Sequence, residues 1–222
     1  MKNILTSLYK GILAGLSIGL GGFLFCLTTW GIEGEIGKVL GSIVFAVGLF
    51  LVCTFGFYLF TGRVGQVFEE KKDKDFYISL VVMIIGNAIG AIIMGYLGYF
   101  IFKNTSLINR AMEVSALRLN FDSYQNYISC FIKSCLCGLC VYISVKSFSL
   151  NRLKPIGIFL LIFFVFVFVY SGFEHCIANM FYFSFSNDWG LNAFIDLGLC
   201  IAGNIVGTIP GVMIFKLASS KN

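Results

Sequence analysis

Long apolar runs divide this sequence into six segments, and the short stretches between them hold most of the charged residues. A bilayer core about 30 Å thick is crossed by roughly 20 apolar residues in a helix. The pattern therefore predicts six transmembrane helices, near residues 11–30, 37–61, 76–102, 127–145, 156–185 and 193–217.

The composition leaves little material for a water-exposed surface. The chain is 58% hydrophobic and only 12% charged, whereas about a quarter of a soluble domain is charged. We expect one all-α transmembrane channel domain over residues 1–222. The first run follows Lys10 without a small-residue cleavage site, and we interpret it as a retained span.

Basic residues are distributed unevenly between the predicted loops. With the N-terminus inside, the inner side holds Lys2, Lys10, Arg63, Lys71, Lys72, Lys74, Lys146, Arg152, Lys154, Lys216 and Lys221, and the outer loops hold Lys38, Lys103, Arg110 and Arg118. Cytoplasmic loops carry such an excess, so both termini are expected in the cytoplasm and the membrane is the cell's inner one. No loop segment of the sequence has the stripe of lysine and arginine residues that a nucleic-acid-binding surface would need.

All eight cysteines fall inside predicted spans, which argues against a disulfide framework. Cys137 and Cys140 have the spacing of a redox motif, but no βαβ pattern supports that chemistry. Cysteine is also a small apolar residue that is common in buried helices, and we interpret these cysteines as packing residues.

The two halves, about 1–105 and 106–222, resemble each other. An offset of 117 residues places Gly86-Asn87-Ala88-Ile89-Gly90 on Gly203-Asn204-Ile205-Val206-Gly207 and pairs Gly21 with Gly138, and an offset of 116 places Gly56-Phe57 on Gly172-Phe173. Because each half has three spans, the second half enters from the opposite face. This predicts a 3+3 inverted repeat, an architecture of transporters and channels.

In such repeats the site lies near the midplane, where equivalent helices are broken. Two corresponding segments suit such breaks, Thr61-Gly62-Arg63 in the second span and residues 174–179 in the fifth. We expect the side chains of Glu174 and Asn179 mainly to satisfy backbone groups freed by the break, with solute contact as the lesser alternative.

His175 is the single histidine, and an ionisable group inside a span is costly unless it faces a partner or cavity. One histidine does not make a metal site, so neither a metal nor a cofactor is expected. An imidazole can instead donate a hydrogen bond or a proton to a small weak-acid anion passing an apolar constriction. Thr61 is placed to orient the ring or the solute.

Residues 172–181, which read GFEHCIANMF, resemble the fifth-span signature of the formate/nitrite transporter family. The resemblance extends over the chain through Leu59-Phe60-Thr61-Gly62, Gly86-Asn87, Gly203-Asn204 and Ala14-Gly15. It implies an aquaporin-like protomer with broken second and fifth helices, assembled as a homopentamer with lipid in its central hole.

The same resemblance implies roles for individual residues. His175 is the central histidine, Thr61 the loop threonine, Phe45 and Phe168 the constriction aromatics, and Leu49 a loop leucine. The family's anion-attracting lysine has no certain counterpart: an ungapped count reaches Asp122, a short insertion would place Arg118 there, and Lys133 lies inside the fourth span.

We therefore predict a channel or proton-linked carrier for formate, nitrite, hydrosulfide or a short carboxylate, not an enzyme. One alternative is a neutral-solute channel of the aquaglyceroporin type, although neither proline follows an asparagine as the Asn-Pro-Ala loops of that type require. An intramembrane enzyme is another, but no trio of nucleophile, base and orienting group is legible.

Overall fold

The computed structural model describes residues 2–151 and 154–219, and all regular structure in those ranges is helical. The ten helices there are α1 (Lys2–Gly31), α2 (Gly34–Phe55), α3 (Phe60–Arg63), α4 (Gln66–Glu69), α5 (Lys74–Phe102), α6 (Leu107–Ala116), α7 (Tyr124–Leu150), α8 (Pro155–Tyr170), α9 (Cys176–Phe185) and α10 (Leu191–Ser219). Arg152 and Lys221, assigned above to the inner side, lie outside the described residues, as does the side chain of Lys2.

Five helices, α1, α2, α5, α7 and α10, are long and apolar enough to cross a membrane, and the shorter α8 and α9 occupy the fifth apolar run. On α5, the exposed residues Val81, Ile85, Ile89, Ile93 and Leu97 recur every fourth position and form one stripe. Such a continuous outward apolar stripe is the surface that lipid covers.

Two packed groups of helices form the body of the structure. α1 lies against α2 and α5, α7 lies against α8 and α10, and α2 meets α8 between them. Close approach depends on glycine: a Cβ on Gly15 would collide with the backbone of Asn87, and one on Gly138 would collide with the backbone of Asn204. Small residues let the helix backbones touch.

These glycine contacts correct the predicted pairing of Gly21 with Gly138. Gly21 faces α2 near Phe45, whereas Gly15 makes the α5 contact that corresponds to Gly138 on α10. The first helices of the two halves thus correspond at an offset of 123 residues rather than 117. From this contact glycine to the glycine at the break there are 41 positions in the first half (15 to 56) and 34 in the second (138 to 172), a difference of seven. Most of the difference arises because α2 has 22 residues and α8 has 16.

The predicted interruption at Thr61-Gly62-Arg63 is wrong in position. These residues belong to the short helix α3, and the non-helical segment is 56–59. In the fifth run the non-helical segment is 171–175, so residues 176–179 already form the first turn of α9. Both segments lie a few residues earlier than their polar side chains suggested.

Helix α6, which was not predicted, lies between α5 and α7 in the sequence. Its apolar side is buried through Leu107, Ile108, Ala111 and Val114. Ser115 Oγ lies 2.8 Å from Ser186 Oγ, at the end of α9, and this contact fixes the far end of α6. The chain leaving α6 consequently carries Arg118 over the buried face of α9.

Candidate functional site

The two non-helical segments begin with the same backbone turn. Gly56 and Gly172 both have a φ of 66°, in the left-handed region that glycine enters without a Cβ clash. Phe57 N donates to Val52 O at 2.9 Å, and Phe173 N donates to Phe168 O at 2.9 Å. These are the bonds of a glycine-terminated helix end, so each glycine stops its helix inside the apolar region.

Two asparagines hold the backbone groups that these breaks expose. Asn87 Oδ1 accepts from Phe60 N at 2.8 Å, while its Nδ2 donates to Tyr58 O at 2.8 Å. Asn204 Oδ1 accepts from Cys176 N at 3.0 Å, while its Nδ2 donates to Glu174 O at 2.8 Å.

Each amide also reaches a neighbouring long helix. Asn87 Nδ2 donates to Gly11 O at 2.9 Å, and Asn204 Nδ2 donates to Ser134 O at 2.8 Å. Backbone groups that water cannot reach must be satisfied internally, so these two fully buried amides stabilise the breaks.

The expectation that Glu174 and Asn179 satisfy the freed backbone groups is therefore wrong for their side chains. Asn179 Nδ2 donates to Glu174 Oε2 at 3.0 Å and to Asp196 Oδ2 at 2.8 Å. Because Asn204 already holds the backbone, the polar side chains at the break are engaged with each other.

Thr61 and His175 meet at the centre of the bundle. Thr61 Oγ1 lies 2.9 Å from His175 Nε2, and both residues are buried. His175 is also the N-cap of α9, where its Nδ1 accepts from Ala178 N at 3.2 Å. Because Nδ1 is an acceptor, the neutral ring carries its hydrogen on Nε2. This N–H donates a hydrogen bond to Thr61 Oγ1.

Aromatic rings surround His175. The Phe168 ring stacks on the imidazole with centroids 5.9 Å apart, and Phe45 meets Phe168 edge-on at 5.7 Å. A cavity of about 20 Å³ lies here, enough for about one water molecule. It is lined by Phe25, Phe45, Arg118, Phe168, Val169, Phe173, His175, Ala178, Asn179 and Tyr182.

Arg118 is the basic residue that reaches this cavity. Its Nε donates to Asn179 Oδ1 at 2.9 Å and lies 3.2 Å from Glu174 Oε2, and its guanidinium stacks over the Tyr182 ring at 4.6 Å. Lys133 lines a separate cavity of about 110 Å³ that Arg118 and Glu174 also border. Asp122, where the ungapped count ended, is exposed.

A larger cavity, of about 320 Å³, opens beside the other break. Leu59 and Gly62, two residues before and one residue after Thr61, line it together with Arg63 and Val145. His175 therefore borders the very small cavity, and residues next to Thr61 in the chain border the large one. Leu49 is buried on α2 and is not among the described residues that line either cavity.

Sequence reasoning identified most of this cluster but missed three contributors. Asn87 and Asn204 were visible in the repeated Gly-Asn pair, although no role had been assigned to them. Asp196 was overlooked, and the signal for it was an acid near the start of the sixth apolar run.

Apolar helices around a buried polar centre define a multi-pass membrane protein. A sequence profile of the formate/nitrite transporter family matches residues 1–218. The chain belongs to that family, a family of channels and transporters.

Two curated relatives are similar over most of the chain. The formate channel FocA of Haemophilus influenzae is 28% identical over 193 residues, which cover 81% of this chain and 66% of that protein. This chain thus spans just under two thirds of that relative's length. The uncharacterized transporter YrhG of Bacillus subtilis is 29% identical over 217 residues, covering 90% of this chain and 79% of that protein.

Solved structures of the family match the fold. A pentameric formate channel with formate bound superimposes with a TM-score of 0.83 at 26% identity, covering 100% of this chain and 99% of its own. An FNT family ion channel gives a TM-score of 0.81 at 19% identity, covering 97% and 90%. The latter likeness shows the fold alone.

Proposed function

We propose that this protein is a channel or proton-linked carrier for small monovalent anions of weak acids, of the class of formate, nitrite, hydrosulfide or a short carboxylate. The observation that carries the proposal is the buried Thr61–His175 pair, which joins the two helix breaks, with the small cavity at His175 and the large cavity at residues next to Thr61 in the chain. The similar formate channels support the choice of solute class.

The proposed pathway begins at Arg118. A guanidinium stays charged at every relevant pH, and at Arg118 this charge offsets that of Glu174 and so lets an anion approach the small cavity. Phe45 and Phe168 line that cavity and admit only a small, largely dehydrated solute. Leaving water there is costly for a bare charge unless donors replace the lost hydration.

Hydrogen-bond donation by Thr61 and His175 supplies that replacement. When Nε2–H of His175 donates to Thr61 Oγ1, the threonine hydroxyl hydrogen is available to the solute. Proton transfer to the anion is more demanding, because a neutral ring that lost its Nε2 proton would become an imidazolate.

A transferable proton requires a doubly protonated ring, whose Nδ1 could no longer accept from Ala178 N. That lost bond costs on the order of 1 kcal/mol. The geometry accordingly favours His175 as a hydrogen-bond donor, with protonation of the anion as the second route.

We further propose that the protomer is a six-span 3+3 inverted repeat and that it assembles as a homopentamer in the inner membrane, with both termini in the cytoplasm and lipid in its central hole. The matching glycine turns and asparagine contacts of the two breaks support the repeat. The pentameric relative supports the assembly.

A flux panel tests this function. Purified protein in proteoliposomes is offered formate, nitrite, hydrosulfide, acetate, lactate and glycerol at two pH values while current is recorded. Selective flux of the small anions is expected, with current if the charge moves alone and without it if a proton accompanies the anion. Glycerol flux without anion flux would favour the aquaglyceroporin alternative and overturn the proposal.

A further inference from the structure

Asp196 lies on α10 and is fully buried. Its carboxylate accepts from Asn179 Nδ2 at 2.8 Å and from the thiol of Cys130 at 3.6 Å, and both donors are neutral. Glu174 and Asp196 are the only buried carboxylates in the described ranges, and of these Glu174 alone forms an ion pair. Asp196 is therefore a buried acid without a cation of its own.

The two acids are also close to each other. Asn179 Nδ2 donates to both, at 3.0 Å to Glu174 Oε2 and at 2.8 Å to Asp196 Oδ2, so the two carboxyl groups share one donor nitrogen. Like charges at this range in a membrane interior repel strongly, and one of two such carboxyl groups keeps a proton. Arg118 touches Glu174 and Asn179, which leaves Asp196 as the acid that holds this proton.

The other charged or titratable groups around Asp196 do not alter this balance. Cys130 on α7, Cys176 on α9 and Cys200 on α10 are buried thiols and contribute no positive charge. Lys133 on α7 lies across the cavity that Cys130, Arg118 and Glu174 also border, and no ion pair joins it to Asp196 in the described part of the chain. That cavity, of about 110 Å³, is bordered by Cys130, whose thiol donates to Asp196.

We propose that Asp196 sets the charge of the anion site and so makes anion entry depend on pH. With Asp196 protonated, Glu174 and Arg118 cancel and the site beside the small cavity is neutral. With Asp196 ionised, the same cluster carries one net negative charge and repels an incoming anion. Acidification therefore opens the site to anions, and Asp196→Asn fixes it in the open, neutral form.

The inference rests on the proposed anion transport for its consequence, but the protonation itself is measurable without transport. Infrared spectra of the purified protein in lipid, recorded from about pH 5 to 9, report the C=O stretch of protonated carboxylic acids. The wild type should show a band that D196N lacks and that disappears on alkalinisation. Identical carboxylic-acid bands in both proteins at every pH would overturn the proposal.

Transport then tests the consequence. Between about pH 8 and pH 6, wild-type nitrite uptake into proteoliposomes should rise on the order of tenfold, the effect of removing one charge at short range. D196N should show the high uptake at both pH values, and D188N, on an exposed loop, should behave like the wild type. A D196N profile that follows the wild type would refute the proposed gating.

Two further outcomes are separable. If the wild type moves no anion in the panel, the proposed function fails while the infrared result still decides the state of Asp196. If D196N does not fold, Asp196→Glu replaces it in the infrared titration. Moving the carboxyl by one methylene in Asp196→Glu must then shift the frequency of the protonated-acid band or the pH of its titration midpoint. A band unchanged in both respects would overturn the proposal.

Discussion

Thr61 Oγ1 and His175 Nε2 lie 2.9 Å apart although 114 residues separate them along the chain. Each residue follows a glycine-terminated helix, so the contact joins the two breaks across the bundle. In this contact Nε2–H of His175 is the donor, and the hydroxyl hydrogen of Thr61 is left for a solute. An anion that takes this hydrogen keeps the Thr61–His175 bond, whereas one that takes the Nε2 hydrogen competes with it, so the net gain at the centre is about one bond.

Loss of the imidazole should reduce anion flux sharply. His175→Ala removes both the donor to Thr61 and the cap on Ala178 N, and we expect at least about a tenfold fall in formate uptake into proteoliposomes. His175→Asn keeps a side chain able to cap the helix and should retain more folded protein. Ser79→Ala, on α5 and away from both cavities, is the control variant. Equal uptake by His175→Ala, the control and the wild type would contradict the role of His175.

Removing the charge of Arg118 should weaken anion capture. Arg118→Gln is expected to raise the KM for formate on the order of tenfold and to change its dependence on ionic strength, because the charge of Glu174 is then uncompensated and repels the anion. Arg118→Lys keeps the charge and should lie closer to the wild type. Arg110→Gln, beside Thr29 in another cavity, is the control. A fall in maximal rate with an unchanged KM would instead indicate a structural role.

Truncation of Phe168 should widen the selection by size. Phe168→Ala removes the ring that packs on both Phe45 and His175, and the small cavity should enlarge. We expect the ratio of lactate to formate uptake to rise several-fold. Phe159→Ala, on the exposed side of the same helix, should leave that ratio unchanged. Unaltered selectivity in F168A would exclude this ring as a size filter.

Asn204 should be more important for stability than its uncharged side chain suggests. Asn204→Ala leaves Cys176 N and the carbonyls of Glu174 and Ser134 without their partner, a loss of about 3 kcal/mol at roughly 1 kcal/mol per bond. The melting temperature in detergent should fall clearly, and Asn87→Ala should act alike. Exposed Asn109→Ala should have no effect. A stable N204A protein would show that other groups hold the break.

A pH-dependent contact ties α4 to α7 at the edge of the bundle. Burial opposes ionisation of Glu69, but hydrogen bonds from Tyr142 and Lys146 and the positive charges of Lys146 and Lys72 outweigh it and lower the pKa of Glu69. The stabilisation is therefore present above the ordinary glutamate pKa and is lost as the pH falls through the lowered value. The difference in melting temperature between wild type and Glu69→Gln should shrink below about pH 4. A constant difference at every pH would contradict this.

The apolar runs were sufficient to locate the long helices, because period and length report burial in lipid directly. The predicted breaks lie a few residues too far along the chain, because polar residues were taken to mark the interruption. The helices end instead at Gly56 and Gly172, through the backbone conformation of these glycines. The alignment of Gly56-Phe57 with Gly172-Phe173 already held that information. Arg118 could not be chosen over Asp122 from sequence, since its position depends on where α6 packs.

The six residues by which α2 exceeds α8 amount to about 9 Å of helix. The two breaks are held by equivalent asparagine contacts, but the helices that lead to them differ in length. The cavities are unequal too, about 320 Å³ at one break and about 20 Å³ near the other. A solute crossing the proposed pathway in one direction is dehydrated early, and in the other direction late. Influx and efflux over the same residues should consequently have different concentration dependences.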